Sequence, residues 1–435
     1  MSTNLLQDLT VPQNIAEAVV LPRSYGDLRG TVLPALEWLR ENAPIGQARV
    51  DGYDPVWIIS KHSAVQEVLR NPELFHSADV NIMLQPQAGD QYLKDLLGGH
   101  TKVMSYNLSY VEPPVHTLFR ETTAHAFLPA QIRGYEPRFR KLAVDAVTRM
   151  IERNDGSCDI VRELTADYPL AVIMDLLGVP ESDWELMMKL TQDTFGGDDP
   201  DWRKDDVPAT PEAMARQWLE STQAFREYFL EVARDRHANP RDDLATAIVT
   251  SKLPNGEYMP EMAQVELVMS IALAGHDTVN SSISGGIHGL ATHPDQLRAV
   301  KENPKLLHGL VEESLRWATP AKHFMRNATQ DTVLQGVEIA AGDRLMCSLQ
   351  SANRDEEAFP NPMTFDVSRR PNPHVAFSFG PHVCLGQHIA KMEMRVLFEE
   401  LLARVDRLEL AGEPVDKVSN FVSGFKSLPV KYGIL

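Results

Sequence analysis

The sequence predicts a mainly helical protein with a few small β-sheets. After residue 70, most segments of the chain have apolar side chains spaced three and four apart, which is the helical period. Residues 260–292 are largely apolar and contain no proline after the first position, so at 1.5 Å per residue they could form one helix of about 50 Å. Segments with strand character are short, and the β-rich portion is expected near 48–60 and 320–350.

The first expected element is a β-hairpin in which residues 48–50 and 55–59 flank a turn, followed by a helix over 62–70. Residues 76–112 and 191–210 lack a clear period, and connections this long are more often binding loops than simple turns. No linker or repeat divides the chain, which predicts one domain over 1–435. Further short strands are expected at 332–339, 344–349, 408–410 and 428–431.

Composition excludes several classes of function. The net charge of −18 repels phosphate backbones and anionic lipid surfaces, so nucleic acid is an unlikely partner. The odd number of cysteines, Cys158, Cys347 and Cys384, argues against a disulfide framework and favours a reducing compartment. The first residues have no signal-peptide pattern, and no run approaches the roughly 18 apolar residues of a membrane span. We expect a cytoplasmic protein without a membrane anchor.

A local basic group at Arg133, Arg138, Arg140 and Lys141 stands out against this acidic background. Such a group can bind an acidic protein partner or can be a solvated helix face. The sequence leaves both readings open.

Cys384 lies in a loop over residues 377–386 that has glycines at 380 and 386. A helix is expected to begin near Leu385, and its positive end stabilises a thiolate, the form that binds metal. Gly380 and Gly386 let the backbone approach something flat, while Phe377 could cover its edge. We interpret Cys384 as the axial thiolate of a haem iron; the alternative is a small buried hydrophobic residue.

The long apolar helix is interrupted by polar residues at 274–278. Thr278 can bond back to the carbonyl of Ala274 and bend the helix, while the small Ala274 and Gly275 leave room for a diatomic ligand. Asp277 can take protons from water and pass them on through Thr278. The alternative is a satisfied buried polar pair.

Four cationic side chains could meet the propionates of a haem. His116 and Arg120 are four apart at the start of a helix, Arg326 is expected on a strand, and His382 lies two residues before the cysteine. Each taken alone could equally be a surface charge.

Glu313 and Arg316 lie three apart on one helix face. If buried, this pair is expected to be a structural clamp that holds the cysteine loop, with Arg369 or His374 as a third partner. For the substrate pocket, position alone selects Met83, Met104, Ser270, Leu273, Phe324, Phe421 and Val422, which are otherwise core residues.

Together these motifs resemble the cytochrome P-450 family of haem-thiolate monooxygenases, from about residue 55 to the C-terminus. The resemblance rests on residues 112–120, 274–278, 313–316, 352–355 and 377–386. It implies a triangular prism of helices with small sheets, haem b on Cys384, and activation of O₂ on the Asp277 and Thr278 side. The position of His382 is often Arg across the family.

A narrower similarity, at residues 351–359, 384–394 and 420–424, is to bacterial enzymes that hydroxylate α-terpineol and related compounds. It implies a small hydrophobic substrate such as a monoterpenoid, an alkylbenzene or a small aromatic. Electrons would come from an iron–sulfur ferredoxin and its NAD(P)H-dependent reductase. A peroxide-driven peroxygenase, a non-catalytic haem-binding protein and a helical scaffold without cofactor remain as alternatives.

Overall fold

The computed structural model describes residues 9–77, 81–203 and 207–435, and these residues are mostly helical, as predicted. The α-helices are Gln13–Val20 (α1), Leu33–Asn42 (α2), His62–Arg70 (α3), Gln87–Leu96 (α4), Val115–Ala124 (α5), Pro129–Ile132 (α6), Glu136–Arg153 (α7), Asp167–Leu177 (α8), Trp184–Phe195 (α9), Pro211–Ala238 (α10), Leu244–Val249 (α11), Glu261–Thr292 (α12), Pro294–Glu302 (α13), Leu307–Ala318 (α14), Leu349–Ala352 (α15) and Gln387–Leu402 (α16). The strands are Ile45–Ala48 (β1), Val56–Ile59 (β2), Phe75–His76 (β3), Ser157–Asp159 (β4), His323–Ala328 (β5), Thr332–Leu334 (β6), Val337–Ile339 (β7), Arg344–Ser348 (β8), Val405–Leu410 (β9), Val415–Asp416 (β10), Phe425–Ser427 (β11) and Pro429–Ile434 (β12).

Helix α12 is buried on nearly all sides, as expected of a helix that is apolar around its circumference. It packs against α8, α10, α14 and α16. Glycines allow close approaches to two of these helices: a Cβ on Gly285 would lie 2.8 Å from Ala318 of α14, and one on Gly286 would collide with Ser314 of α14 and lie 2.8 Å from Phe398 of α16. The long helix is therefore the element around which the others are arranged.

The largest sheet has five strands in the order β1-β2-β8-β5-β3. Its pairs are antiparallel except β2 with β8, which run parallel with Ile59 opposite Cys347. A second sheet has the order β4-β12-β9, and β6-β7 and β10-β11 form two-stranded sheets. Strand β5 follows α14 in the chain, and residues 319–322 connect the two. This connection matters because it borders the site described below.

The main core lies between α7, α8, α10, α12, α14 and α16, and its largest side chains include Phe139, Phe225, Phe229 and Phe398, all fully buried. Each such burial contributes about 1.5–3 kcal/mol. A second cluster joins α1 and α2 to the five-stranded sheet through Val19, Leu36 and Ile58. In the described ranges no helix is both long and apolar enough to span a bilayer.

Several predicted boundaries are confirmed and others are wrong. Helix α3 occupies 62–70, while β1 begins at Ile45, three residues earlier than predicted, because it pairs along the whole of β2. Residues 76–112 contain α4, which was not predicted; its Gly89 sits against the carbonyl of Pro211, so docking on α10 supports a helix of weak propensity. The interpretation of residues 1–435 as one domain stays a prediction, and residues 1–8 lie outside the described ranges.

Candidate functional site

A cavity of about 270 Å³ separates α12 from the loop that precedes α16. One face of α12 forms its first wall, because residues three and four apart on a helix share a face. These residues are Leu267, Ser270, Ile271, Ala274, Gly275, Thr278, Val279 and Ser282. The opposite wall is formed by residues 376–378 and 382–386 and by the first turns of α16. Cys384 and Thr278 therefore face the same enclosed space.

Cys384 lies three residues before α16, which begins at Gln387 rather than near Leu385. Its backbone N–H donates to the Phe377 carbonyl at 2.9 Å and closes the loop on itself. Burial raises the pKa of the Cys384 thiol, and the amides of Gly386 and Gln387 with the charge of Arg120 offset this only in part. A metal cation bound to the sulfur would supply the missing stabilisation of the thiolate.

Gly380 and Gly386 of the cysteine loop lie in different surroundings. Gly386 lines the cavity, as expected. Gly380 does not; its φ is +70°, and a Cβ there would lie 2.5 Å from the Leu69 carbonyl and 2.9 Å from Cα of Arg70. The interpretation of Gly380 as room for a flat cofactor is therefore corrected: it lets the loop pack on the end of α3.

The anion-binding wall is formed by α5, where His116 and Arg120 line the cavity one turn apart. His116 is 2% exposed and its Nε2 has no hydrogen-bond partner in the described ranges. Burial, with help from the nearby charges of His382 and Arg120, lowers the pKa of His116 to about 4. Arg120 forms no ion pair with any residue that the structure describes. Both side chains are therefore free to meet an anion in the cavity.

The other two predicted anion ligands are placed differently. The ring of His382 lies 4.4 Å from that of His116, yet both its nitrogens are engaged, Nδ1 with the Leu108 carbonyl at 3.0 Å and Nε2 with Glu112 at 3.1 Å. Burial alone would raise the pKa of Glu112, but hydrogen bonds from His382 and Ser77 bring it to about 2. The propionate interaction expected of His382 is not formed in this conformation, because both ring nitrogens are hydrogen-bonded within the protein.

Arg326 lies on β5 and is 3% exposed, but it is not among the residues that line the cavity. Its guanidinium donates to the carbonyl of Met325 at 2.8 Å. In this conformation the propionate interaction expected of Arg326 is not formed.

The polar break in α12 contains two differently oriented groups. Thr278 Oγ1 donates to the Ala274 carbonyl at 2.6 Å, as predicted, and lines the cavity. Asp277 points to the other side of the helix and forms a buried ion pair with Lys417 at 3.1 Å. Burial raises the pKa of Asp277, but Lys417 and His276 outweigh it and leave the carboxyl ionised.

Lys417 is a functional candidate that the sequence analysis missed. It lies 140 residues after Asp277, so no local pattern connects them. The role of Gly275 was also misread in part: it lines the cavity, but a Cβ there would lie 2.9 Å from the Ile173 side chain. The glycine admits Ile173 of α8 to the cavity wall.

The predicted clamp is present and fully buried. Arg316 donates to both oxygens of Glu313 at 2.8 and 2.6 Å, and Glu313 also bonds Arg369 at 3.3 Å. Asn372, which was not predicted, donates to Glu313 at 3.1 Å, whereas His374 bonds Glu312 instead. The clamp thus holds the segment that leads into the cysteine loop.

Of the predicted pocket residues, Ser270 and Phe324 line the cavity. The remaining five, Met83, Met104, Leu273, Phe421 and Val422, do not line it. Leu273 and Met104 belong to the main core, Met83 packs in a cluster with Trp218, and Phe421 packs on Phe195 and Phe324. Apolar lining residues that position in the sequence did not reveal are Phe127, Ile173, Ile248, Leu267, Ile271, Leu315 and Ala321.

Two of the four cations in the basic group at residues 133–141 form ion pairs within the protein. Arg138 pairs with Asp175, and Arg140 pairs with Glu136, Glu399 and Glu400. Arg133 and Lys141 are exposed and form no ion pair with any described residue. Arg140 ties α7 to the last turn of α16, at the end of that helix away from Cys384.

Comparisons with known proteins agree with this geometry. The profile of the family described as Cytochrome P450 matches residues 50–433. The chain is 42% identical over 424 residues to Cytochrome P450-terp from Pseudomonas sp., covering 97% of the chain and 98% of that protein. It is 33% identical to a steroid C26-monooxygenase from Mycolicibacterium smegmatis, covering 94% of each.

Two solved structures share the fold over nearly the whole chain. The crystal structure of CYP108D1 from Novosphingobium aromaticivorans superposes with a TM-score of 0.89 at 37% identity, covering 98% of this chain and 100% of that one. Cytochrome P450 CYP268A2 from Mycobacterium marinum, in complex with pseudoionone, superposes with a TM-score of 0.81 at 28% identity, covering 92% and 94%.

Proposed function

The chain belongs to the cytochrome P450 family, and from the cavity geometry we propose that it hydroxylates a small hydrophobic substrate with electrons from an iron–sulfur ferredoxin. The class of enzyme, a haem-dependent monooxygenase that uses O₂, follows from the family. The observation that carries the proposal is that Cys384 and Thr278 face each other across one cavity with largely apolar walls.

Haem b is the cofactor, and the residues around the cavity fit it. Cys384 would hold the iron, while His116, with its unpartnered Nε2, and the unpaired Arg120 would hold the propionates. When bound, haem with an axial thiolate supplies the activation of O₂. The protein contributes binding, orientation and a dry cavity. Thr278 holds a hydroxyl proton at the cavity wall, and Asp277 is its ionised neighbour on the opposite side of α12.

The chemistry of the cavity supports a hydrocarbon substrate. Its lining is largely apolar, as a monoterpenoid, an alkylbenzene or a small aromatic requires. Phe324, Ile271 and Leu267 offer apolar contacts above the cysteine wall. Ser270 has its hydroxyl bonded to the Glu266 carbonyl within the helix, so it adds little polarity to the pocket.

A ferredoxin partner is supported by exposed positive charge in an otherwise acidic chain. Arg133 and Lys141 are exposed and form no ion pair with any described residue, in a chain whose net charge is −18. An acidic partner can pair with these two cations. We propose this surface as the ferredoxin contact.

Spectral titration and turnover test the proposal. The haem protein is titrated with a monoterpenoid alcohol, an alkylbenzene, a bicyclic aromatic and a long-chain fatty acid as the control. We expect one of the three compact classes to shift the Soret band and to be hydroxylated with one atom of ¹⁸O₂ when ferredoxin, reductase and NAD(P)H are supplied. Turnover with hydrogen peroxide alone at the same rate, or binding of only the fatty acid, would contradict the proposal.

A further inference from the structure

A second, much smaller void lies behind α12, on the side away from the main cavity. Its volume of about 10 Å³ is close to what a single water molecule requires. Asp277, Lys417, Trp202 and Asp199 are among its lining residues, and it shares no lining residue with the main cavity. Asp277 and Thr278 are adjacent in the chain, so α12 itself separates the two spaces.

Lys417 lies between Asp277 and an aromatic ring. Its ammonium is 3.1 Å from Oδ1 of Asp277 and 4.6 Å from the centre of the Trp202 ring. The Lys417 side chain is 4% exposed and that of Asp277 is 7% exposed. The indole covers the ion pair on the side opposite α12 and favours the charged ammonium through its ring electrons.

The segment that carries Trp202 is hydrogen-bonded to the hairpin formed by β10 and β11. Asp199, which is 2% exposed, accepts from the Val418 amide at 2.9 Å and pairs with Lys426 at 3.0 Å. The Trp202 amide in turn donates to the Asp199 carbonyl at 3.1 Å. Gly196 allows this close fold, because a Cβ there would lie 3.1 Å from the Trp202 side chain. The ring is therefore held in place rather than resting on the surface.

We propose that Trp202 is a positioning residue for proton delivery: its ring keeps bulk water from the Lys417–Asp277 pair and limits the void beside Asp277 to a single water. Asp277 accepts a proton from that water, which solvent reprotonates through proton exchange, and passes the proton on towards Thr278, so that carboxylate and water are both restored before the next transfer. The other charged groups around the pair are His276, on α12 itself, Lys322, whose charge acts on Lys417, and Asp199 and Lys426, which fix the Trp202 segment. This inference rests on the proposed role of Asp277 as the proton carrier.

The test compares Trp202→Ala with Trp202→Phe, which retains an aromatic face, and with Trp38→Ala as a control in α2, far from α12. In the reconstituted holoenzyme, Trp202→Ala should raise the ratio of peroxide to hydroxylated product by between about twofold and about thirtyfold, the range set by one cation–π contact. Trp202→Phe should return it to near the wild-type value, and Trp38→Ala should leave it unchanged. The pH at which coupling is half-maximal should shift in Trp202→Ala alone.

A second readout does not depend on activity. The infrared carboxylate band of Asp277 is isolated by subtracting the spectrum of the Asp277→Asn variant, in the wild-type and in the Trp202→Ala background. In the Trp202→Ala background this band should broaden and shift, because water reaches the Lys417–Asp277 pair. The inference would be overturned if Trp202→Ala kept wild-type coupling and an unchanged Asp277 band. It would also be overturned if Trp202→Phe failed to restore the coupling or the band. If Asp277→Asn itself does not uncouple, the proton-carrier role fails; if it does while Trp202→Ala does not, only this inference fails.

Discussion

Replacing Arg316 by Met should remove a large part of the folding free energy. The Arg316 side chain is 0% exposed and donates to both oxygens of Glu313 and to the carbonyls of Asn353 and Pro362. Met has a similar volume but no donors, so Glu313 would be left as a buried carboxylate with Arg369, Asn372 and the backbone amide of Asp366 as its remaining donors. Breaking one side of a buried pair costs about 3–5 kcal/mol.

The orphaned carbonyls add to this. Each buried acceptor left without a donor costs about 1–3 kcal/mol, although such costs do not add fully. Stability of a natural protein is about 5–15 kcal/mol, so Arg316→Met should lower the free energy of unfolding by at least about 3 kcal/mol, a large share of the total. Since the clamp holds residues 353–375 ahead of the cysteine loop, haem should also be lost at lower denaturant concentration.

The assay is urea unfolding followed by far-UV circular dichroism and by the Soret band. Arg369→Met is the matched control: its bonds to Glu313 are longer, at 3.3 Å, so it should cost less than Arg316→Met. A loss below about 1 kcal/mol for Arg316→Met, the value of a surface pair, would refute the reasoning.

Four further outcomes are expected. Cys384→Ala should eliminate the red-shifted Soret band of the reduced CO adduct; an unchanged spectrum would refute the ligand assignment. Thr278→Ala should consume O₂ and reductant but release peroxide in place of product, and full coupling would contradict its role. Lys417→Met should leave Asp277 buried and unpaired, which should lower the free energy of unfolding by about 3–5 kcal/mol at neutral pH, measured by urea unfolding. This loss should shrink in acid, because Asp277 becomes protonated and no longer needs a cation. The double variant Lys417→Met with Asp277→Asn should recover part of the lost free energy. Burial lowers the pKa of Lys322 from 10.5 to about 7. Between about pH 7 and pH 10.5 the unfolded chain therefore binds more protons at this residue than the folded protein does, so the free energy of unfolding rises with pH. Lys322→Met should make the free energy of unfolding rise less over this pH range.

Local patterns account for what was predicted correctly at the site. The bond from Thr278 to Ala274 spans four residues of one helix, and the contact of Glu313 with Arg316 spans three, so spacing alone implies both. Cys384 likewise stands directly before a helix whose apolar period is visible in the chain. These features need only the geometry of a single element.

Contacts between distant segments account for what was missed. Asn372 reaches Glu313 across 59 residues, and Leu273 faces the core because of how α12 is rotated against its neighbours. The pocket residues on α8 and α11, Ile173 and Ile248, lie in ordinary apolar stretches that carry no sign of a ligand. Gly380 was misread because the helix end that forbids a side chain there is some 310 residues earlier, a separation no period encodes.

The amino-acid sequence by itself determined the helical class, the cysteine that we propose as the haem ligand and the hydroxyl that faces it, because each depends on residues a few positions apart. Tertiary structure alone decided which cation neutralises Asp277, which two of four basic side chains stay free for an anion, and which apolar residues form the pocket. The physical reason is that burial and charge pairing are set by neighbours in space, and the packing of α12 against the surrounding helices and strands brings those neighbours together only once the chain has folded.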